Sequence, residues 1–343
     1  MFKNGIPPMY GWSSAAGGGL GTKANSDEVY FWGGNASLSG SGLGSGTNYN
    51  TIDYFDRTST TSNAVDRGDD IVAQRGGSGV HNTTRAMRLG AGSSGSFRFS
   101  IAEIDLTSQS GNASDVADMN QSYSSGSTAV SGPVFGYAAG GGSTYINIEY
   151  VTIATQTGNA TDTGDLDYNG KWSVRGVSGQ TYGHFCGGHS NYYDGKQFKY
   201  NSLNNISYID ITSTSVAGTD RGDLAEAKRA HCTVGGGTYG YACGGTPQTG
   251  GGFLPQGNSY NGASQSVNID YFDITTNAGN AADRADLPQA HNLGTSQSDS
   301  QGFTNGIVGS GDDFATLDVT TTTGNASDRG DRTLVAYNVG TCN

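Results

Sequence analysis

One phrase is written six times along this chain with a fixed internal distance, and no other feature constrains the fold more. Asp-x-x-Asp occurs at Asp66/Asp69, Asp115/Asp118, Asp162/Asp165, Asp220/Asp223, Asp283/Asp286 and Asp328/Asp331. Ten residues before the first Asp of each copy stand Asp56, Asp105, Thr152, Asp210, Asp273 and Asp318. Immediately before those come Phe55, Ile104, Val151, Ile209, Phe272 and Leu317, all aromatic or aliphatic. The copies lie 45 to 63 residues apart, so the spacing is constant within the phrase and elastic between phrases. That is the pattern of one structural unit repeated and joined by variable connections.

Each copy is preceded by an apolar or aromatic run that ends in glycine: "YFWGG", "AMRLGAG", "VFGYAAGGG", "YGHFCGG", "YGYACGG" and the weaker "GFTNGIVGSG". A third phrase follows the Asp pair, clearest in "AHNLGTS" (Ala290 to Ser296) and "AYNVGTC" (Ala336 to Cys342). Each unit thus offers about four short strands bounded by Gly, Asn, Asp, Ser and Thr. Only "GDLAEAKRAH" (Gly222 to His231) has helix-forming composition. Four strands recurring at this period match the blades of a β-propeller. The expectation is all-β: a six-bladed propeller over residues 28–343, its ring closed by a C-terminal strand that removes a free sheet edge. Residues 1–27 then form an arm or anchor outside the ring. "MYGWSSAAGGG" (Met9 to Gly19) is the rival candidate for the closing strand.

Composition supports an ordered repeat over disorder. Glycine is 57 of 343 residues and apolar residues are only 34%, yet 19 Tyr and 12 Phe fall into periodic strands. Glycines suit crowded inner strands and turns that need positive φ. A net charge of −12 with no basic patch argues against nucleic acid as a partner. No run of eighteen apolar residues is present, so no membrane span is expected. The start "MFKNGIPPMYGW" has no apolar signal core. Asn-x-Ser/Thr triplets at Asn112, Asn159 and Asn325 sit in the repeated turn and read as turn chemistry. Cys186, Cys232, Cys243 and Cys342 form no disulfide framework; buried free thiols are expected, with Cys186 and Cys243 at equivalent positions.

Three copies of the Asp pair spell Arg-Gly-Asp, at Arg67, Arg221 and Arg329. An adhesion motif is one reading. The other is that Arg and Gly fill variable slots of a turn, as the sister copies "DVAD", "DTGD" and "DRAD" suggest. The aspartates favour turns through side-chain bonds to nearby backbone N–H groups, and no Ca²⁺-loop signature is present. "HFCGGH" (His184, Cys186, His189) carries soft-metal residue types without a fourth ligand. His231 and His291 are expected to fill one packing position, with Tyr337 as its third member. No catalytic residue, metal or cofactor is expected, because no nucleophile elbow, phosphate loop or supported carboxylate pair stands out.

What departs from the repeat is where function is expected. Between the glycine-ended strand and the next one, units one, four and five carry long insertions. They are Asn35 to Asn50, His189 to Asn205 and Thr246 to Ser266. All three interrupt the same connection, so they emerge on one face, and units four and five are neighbours. Their insertions hold Tyr192, Tyr193, Phe198, Tyr200, Phe253 and Tyr260 among Ser, Gly and Asn, the composition of adaptable binding loops. Loop drift or packing against another subunit is the competing explanation.

"YACGG" followed by "NIDYFD" (Asn268 to Asp273) resembles the kelch family of β-propellers, although the kelch Trp of the fourth strand is missing from every unit. The fuller phrase "IDYFDITTNAGNAADRADL" is similar to a kelch-like repeat in structural proteins of tailed phages, marine cyanophages above all. The resemblance covers the chain from about Glu28 onward. It implies a virion structural protein on a tail appendage or capsid, assembled in the host cytoplasm in many copies. Its partners would be other virion proteins, through residues 1–27, and a host-surface glycan, with no nucleic acid or membrane involved. The competing class is a propeller enzyme of galactose-oxidase or glycan-hydrolase type.

Overall fold

The structure is a computed structural model. It describes residues 14–15, 28–35, 48–56, 63–74, 77–82, 84–93, 96–123, 127–141, 146–167, 172–193, 198–229, 231–247, 254–255, 266–288, 295–297, 305–336 and 340–342. These residues contain strands and turns and no helix; Gly222 to His231 spans a strand end, a bend and the short strand Lys228–Arg229.

The strands form the blades of a β-propeller. Sheet two runs Ser78–His81, Arg85–Ser93, Ser96–Asp105 and Ser114–Tyr123, each antiparallel to the next. Sheets three, four and five repeat this order. They begin at Ser127–Ser131, Arg175–Ser178 and Cys232–Gly235, and end at Thr161–Asp165, Thr219–Asp223 and Ala282–Asp286. Sheet one has Glu28–Asn35, Asn48–Asp56 and Val65–Gln74. Its fourth member is Gly340–Cys342, paired as Tyr30↔Cys342, Phe31↔Thr341 and Trp32↔Gly340. Five blades of four strands are therefore seen where six were expected. The last unit contributes a three-stranded sheet of Thr295–Gln297, Asn305–Asp318 and Ser327–Ala336. Within the expected arm 1–27 only Ser14–Ala15 is described. It pairs with Val130 and Ala129 at the first-strand edge of sheet three.

Apolar clusters lie between neighbouring sheets. Val80, Met87, Leu89 and Ile101 of sheet two meet Ala129, Ala138 and Val151 of sheet three, and Cys232, Tyr241 and Ile269 of sheet five meet Leu317 and Val319 of the last. Cys186, Cys232 and Cys243 are buried free thiols, as expected. Inner strands are joined by hydroxyls: Thr128 Oγ1 accepts from the Gly176 amide, Ser178 Oγ from Ser131, and Thr233 Oγ1 donates to the Gly176 carbonyl.

The repeated phrase holds one blade to the next. At its start an Asp closes an Asx turn: Thr107, Thr212, Thr275 and Thr320 amides donate to Asp105, Asp210, Asp273 and Asp318. The Asn of Gly-Asn-Ala then accepts from the last Asp amide of the preceding blade, as Asn112 from Asp69, Asn159 from Asp118, Asn280 from Asp223 and Asn325 from Asp286. The following alanine amide donates back, for example Ala113 to the Asp69 carbonyl at 2.8 Å and Ala281 to Asp223 at 2.7 Å.

Candidate functional site

Arg-Gly-Asp is part of this blade-to-blade clasp. Arg67 donates through Nη1 to the Gly111 carbonyl and through Nη2 to Asp105 at 2.9 Å, with its guanidinium over the Tyr30 ring. Arg221 repeats the arrangement against the next turn, reaching the Asp273 and Gly279 carbonyls and lying 4.7 Å from the Phe272 ring centre. Arg284 of the "DRAD" copy does the same with Thr321 Oγ1, the Thr323 carbonyl and Tyr241. Gly222 has φ +144°, and a Cβ there would stand 2.6 Å from Asn280 Oδ1. Both buried arginines are thus committed to carbonyls, which favours the turn reading over adhesion at Arg67 and Arg221. The side chain of Arg329 lies outside the described residues.

His184 is likewise an inter-blade link. It occupies the position of Tyr137 and Tyr241, whose hydroxyls donate to the Ser213 carbonyl and to the Val319 and Thr321 carbonyls. His184 Nε2 lies 3.3 Å from the Ile274 carbonyl, and burial holds its pKa down near 3. Among the described residues no group of three His, Cys, Asp or Glu could hold a metal ion. His291 and Tyr337, the expected companions of His231, lie outside the described residues.

The insertions of units four and five meet. His189–Tyr193 and Phe198–Ser202 form a hairpin, and Leu254–Pro255 from the next unit adds to it as a third strand. The join between the insertions is Lys199↔Pro255 and Tyr200↔Leu254. In the hairpin Tyr193 stands opposite Phe198, Tyr192 opposite Lys199 and Asn191 opposite Tyr200. Phe253 and Tyr260 lie outside the described residues, as does the insertion of unit one between Asn35 and Asn48.

At the root of this hairpin lies a cluster of buried polar residues. Trp172 and His189 exchange backbone bonds at 3.0 and 2.8 Å, and their rings are 6.3 Å apart. The Gly188 amide donates to the Lys228 carbonyl at 3.0 Å, and Gly187 packs on Lys228 and His231. Lys228–Arg229 pairs with Thr246–Pro247 at the root of the unit-five insertion. Lys228 Nζ is fully buried, 2.7 Å from Asn268 Oδ1 and 3.2 Å from Asp270 Oδ2. Burial raises the Asp270 pKa against the opposing pull of Lys228. Burial, reinforced by Lys228 and Arg175, holds His231 far below the ordinary histidine pKa. His189 is held near 3 by burial and Arg229. Trp172 sits in a connection with no compositional signal, and Lys228 and Asp270 lie in segments read for their repeat pattern and composition, so sequence reasoning did not bring the three together.

No model of a known protein family matches the chain. No curated protein matches it either. Among solved structures it is similar to YjhT, with 12% sequence identity and a TM-score of 0.63 over 94% of this chain and 98% of that one. At that identity the likeness speaks for the propeller fold alone.

Proposed function

We propose that the chain is a virion structural protein of a tailed phage: a kelch-like, six-bladed propeller, closed by its C-terminal strand, displayed on a tail appendage or capsid. Its loop face makes attachment contacts, to a host-surface glycan or to a neighbouring virion subunit. Six blades are supported by the sixth sheet, whose inner strand Thr295–Gln297 lies beside Gly340–Cys342. Closure is supported by the pairing of that C-terminal strand with Glu28–Asn35.

The observation that carries the attachment reading is the pairing of the two insertions through Tyr200↔Leu254. Drifting loops have no reason to add strands to each other across a blade boundary. Two neighbouring insertions joined into one sheet make a single aromatic-bearing surface on a rigid ring. Many copies on a particle would turn modest affinity into avidity. Immunogold electron microscopy of intact source particles tests the placement. Label on a tail tip, a fibre or the capsid is expected, and particles without label would overturn the virion reading and bring the enzyme class forward.

A further inference from the structure

The first strands of consecutive sheets lie side by side: Ser78–His81 against Ser127–Ser131, that strand against Arg175–Ser178, and Arg175–Ser178 against Cys232–Gly235. Every residue of these four strands is buried. A first strand has a partner in its own sheet on one side only. Its other edge turns backbone N–H and C=O groups toward the place where the strands meet. In sheet four the Gly179 amide donates to the Tyr182 carbonyl, and antiparallel alternation then turns Gly176 away from its own sheet. Hydroxyls of the two neighbouring strands satisfy it: its amide donates to Thr128 Oγ1 at 2.6 Å and its carbonyl accepts from Thr233 Oγ1 at 2.6 Å. In the same way the Ser131 amide donates to Ser178 Oγ and the His81 amide to Ser131 Oγ. Ala129 is served differently. The Gly132 amide on the Phe135 carbonyl sets the alternation in sheet three, and Ala129 too faces away from its sheet. Opposite it, in antiparallel register, stands Ala15.

Ser14–Ala15 also lies beside Arg175–Ser178, Cys232–Gly235 and Thr295–Gln297. A two-residue stretch can stand next to the first strands of four consecutive sheets only where those strands converge. The sequence there, "SSAAGGG" (Ser13 to Gly19), has no large side chain, a composition that suits a crowded place. A bare edge at the same place would leave backbone groups without partners. We infer that the N-terminal segment, through Ser14–Ala15, is a built-in plug: it completes the first-strand edge of sheet three and closes the centre of the propeller to ligands. While it is seated, a ligand can reach the faces and the rim of the blades but not their centre. An enzyme of the competing class with its site at the centre would have to expel it. The plug goes beyond the attachment reading and does not depend on it.

Thiol labelling of the full chain tests it. Ala15→Cys is compared with Val65→Cys, which lies on the last strand of sheet one and is 48% exposed. Each variant is treated with a polar maleimide and the labelled site is read by peptide mass spectrometry. In the folded chain Ala15→Cys should label more than about tenfold more slowly than Val65→Cys, and in urea the two rates should converge. Equal rates in the folded chain would overturn the plug. A double variant, Ala15→Cys with Ala129→Cys, places thiols at register partners, whose Cα atoms in an antiparallel pair stand within disulfide reach. Mild oxidation of the folded chain should give the 15–129 link, and Ala15→Cys with Val65→Cys should give none. No 15–129 link, or equal yields from the two pairs, would show that the segment is not seated at the centre. Neither experiment reads adsorption or glycan binding, so failure of the plug leaves the attachment reading where it stands.

Discussion

Arg221 shows why a familiar tripeptide is a poor guide to the role of its residues. Its guanidinium is buried against carbonyls of the next blade, and burial lowers its pKa. Removing it leaves those carbonyls without their donor, so Arg221→Ala should cost ~2–4 kcal/mol in urea unfolding, and Arg221→Lys should recover only part. Full stability in the alanine variant would sink the clasp. Glu149 gives a pH-dependent counterpart. Its side chain is fully buried, Oε2 accepts from the Asn120 amide at 3.0 Å, and burial, with the charge of Asp162, raises the pKa to about 7. The unfolded chain releases this proton near 4.5, the fold only near 7, so the group lowers stability as pH rises through that interval. Glu149→Gln should therefore stabilise on the order of 1–3 kcal/mol at pH ~8 and leave stability unchanged at pH ~4. His184 has the opposite sign. Its folded pKa lies below the ordinary 6.5, so stability is lost as pH falls below that value. His184→Tyr, copying Tyr137 and Tyr241, should shrink the fall in melting temperature between pH ~7 and ~5; an unchanged fall would mean that His184 is not among the acid-sensitive groups.

At the scale of the element, the strands and turns were legible because the repeat writes the same local chemistry into unit after unit, with the Asx turn formed in four of them among the described residues. Asp105, Asp210, Asp273 and Asp318 could be read as turn residues from local chemistry alone. The partners of Arg67 and Arg221 could not, because each lies in the following blade, 38 and 52 positions away along the chain. The meeting of the unit-four and unit-five insertions followed from their shared place in the repeat. The polar cluster at the hairpin root did not, since Trp172 lies in an inter-blade connection where no repeat speaks for it. The structure also sets the limits of the insertion. Thr246–Pro247 pairs with Lys228–Arg229 and Ser266 Oγ donates to Glu226 at 3.0 Å, so both ends belong to the scaffold. Replacing residues 249–264 with a short Gly-Ser link should leave the melting temperature within about 2 °C. A large drop would show that the insertion helps to hold the blades.

At the scale of the whole molecule, the proposal assigns stability to the propeller blades and recognition to the joined insertions. The proposed six-bladed ring needs a link from its last unit to its first, and the pairing of Gly340–Cys342 with Glu28–Asn35 is the candidate for it. A chain ending at residue 339 should melt several degrees lower and associate through the uncovered edge of Glu28–Asn35. Light scattering and thermal unfolding would detect both, and a monomer with unchanged melting would refute closure by this strand. The proposed attachment role of the joined insertions is tested most directly by competition with host adsorption of the phage to which the proposal assigns the chain. Purified intact chain should slow adsorption, and the chain lacking 249–264, equally folded, should not. Equal inhibition by both, or by neither, would contradict the assignment of attachment to that surface.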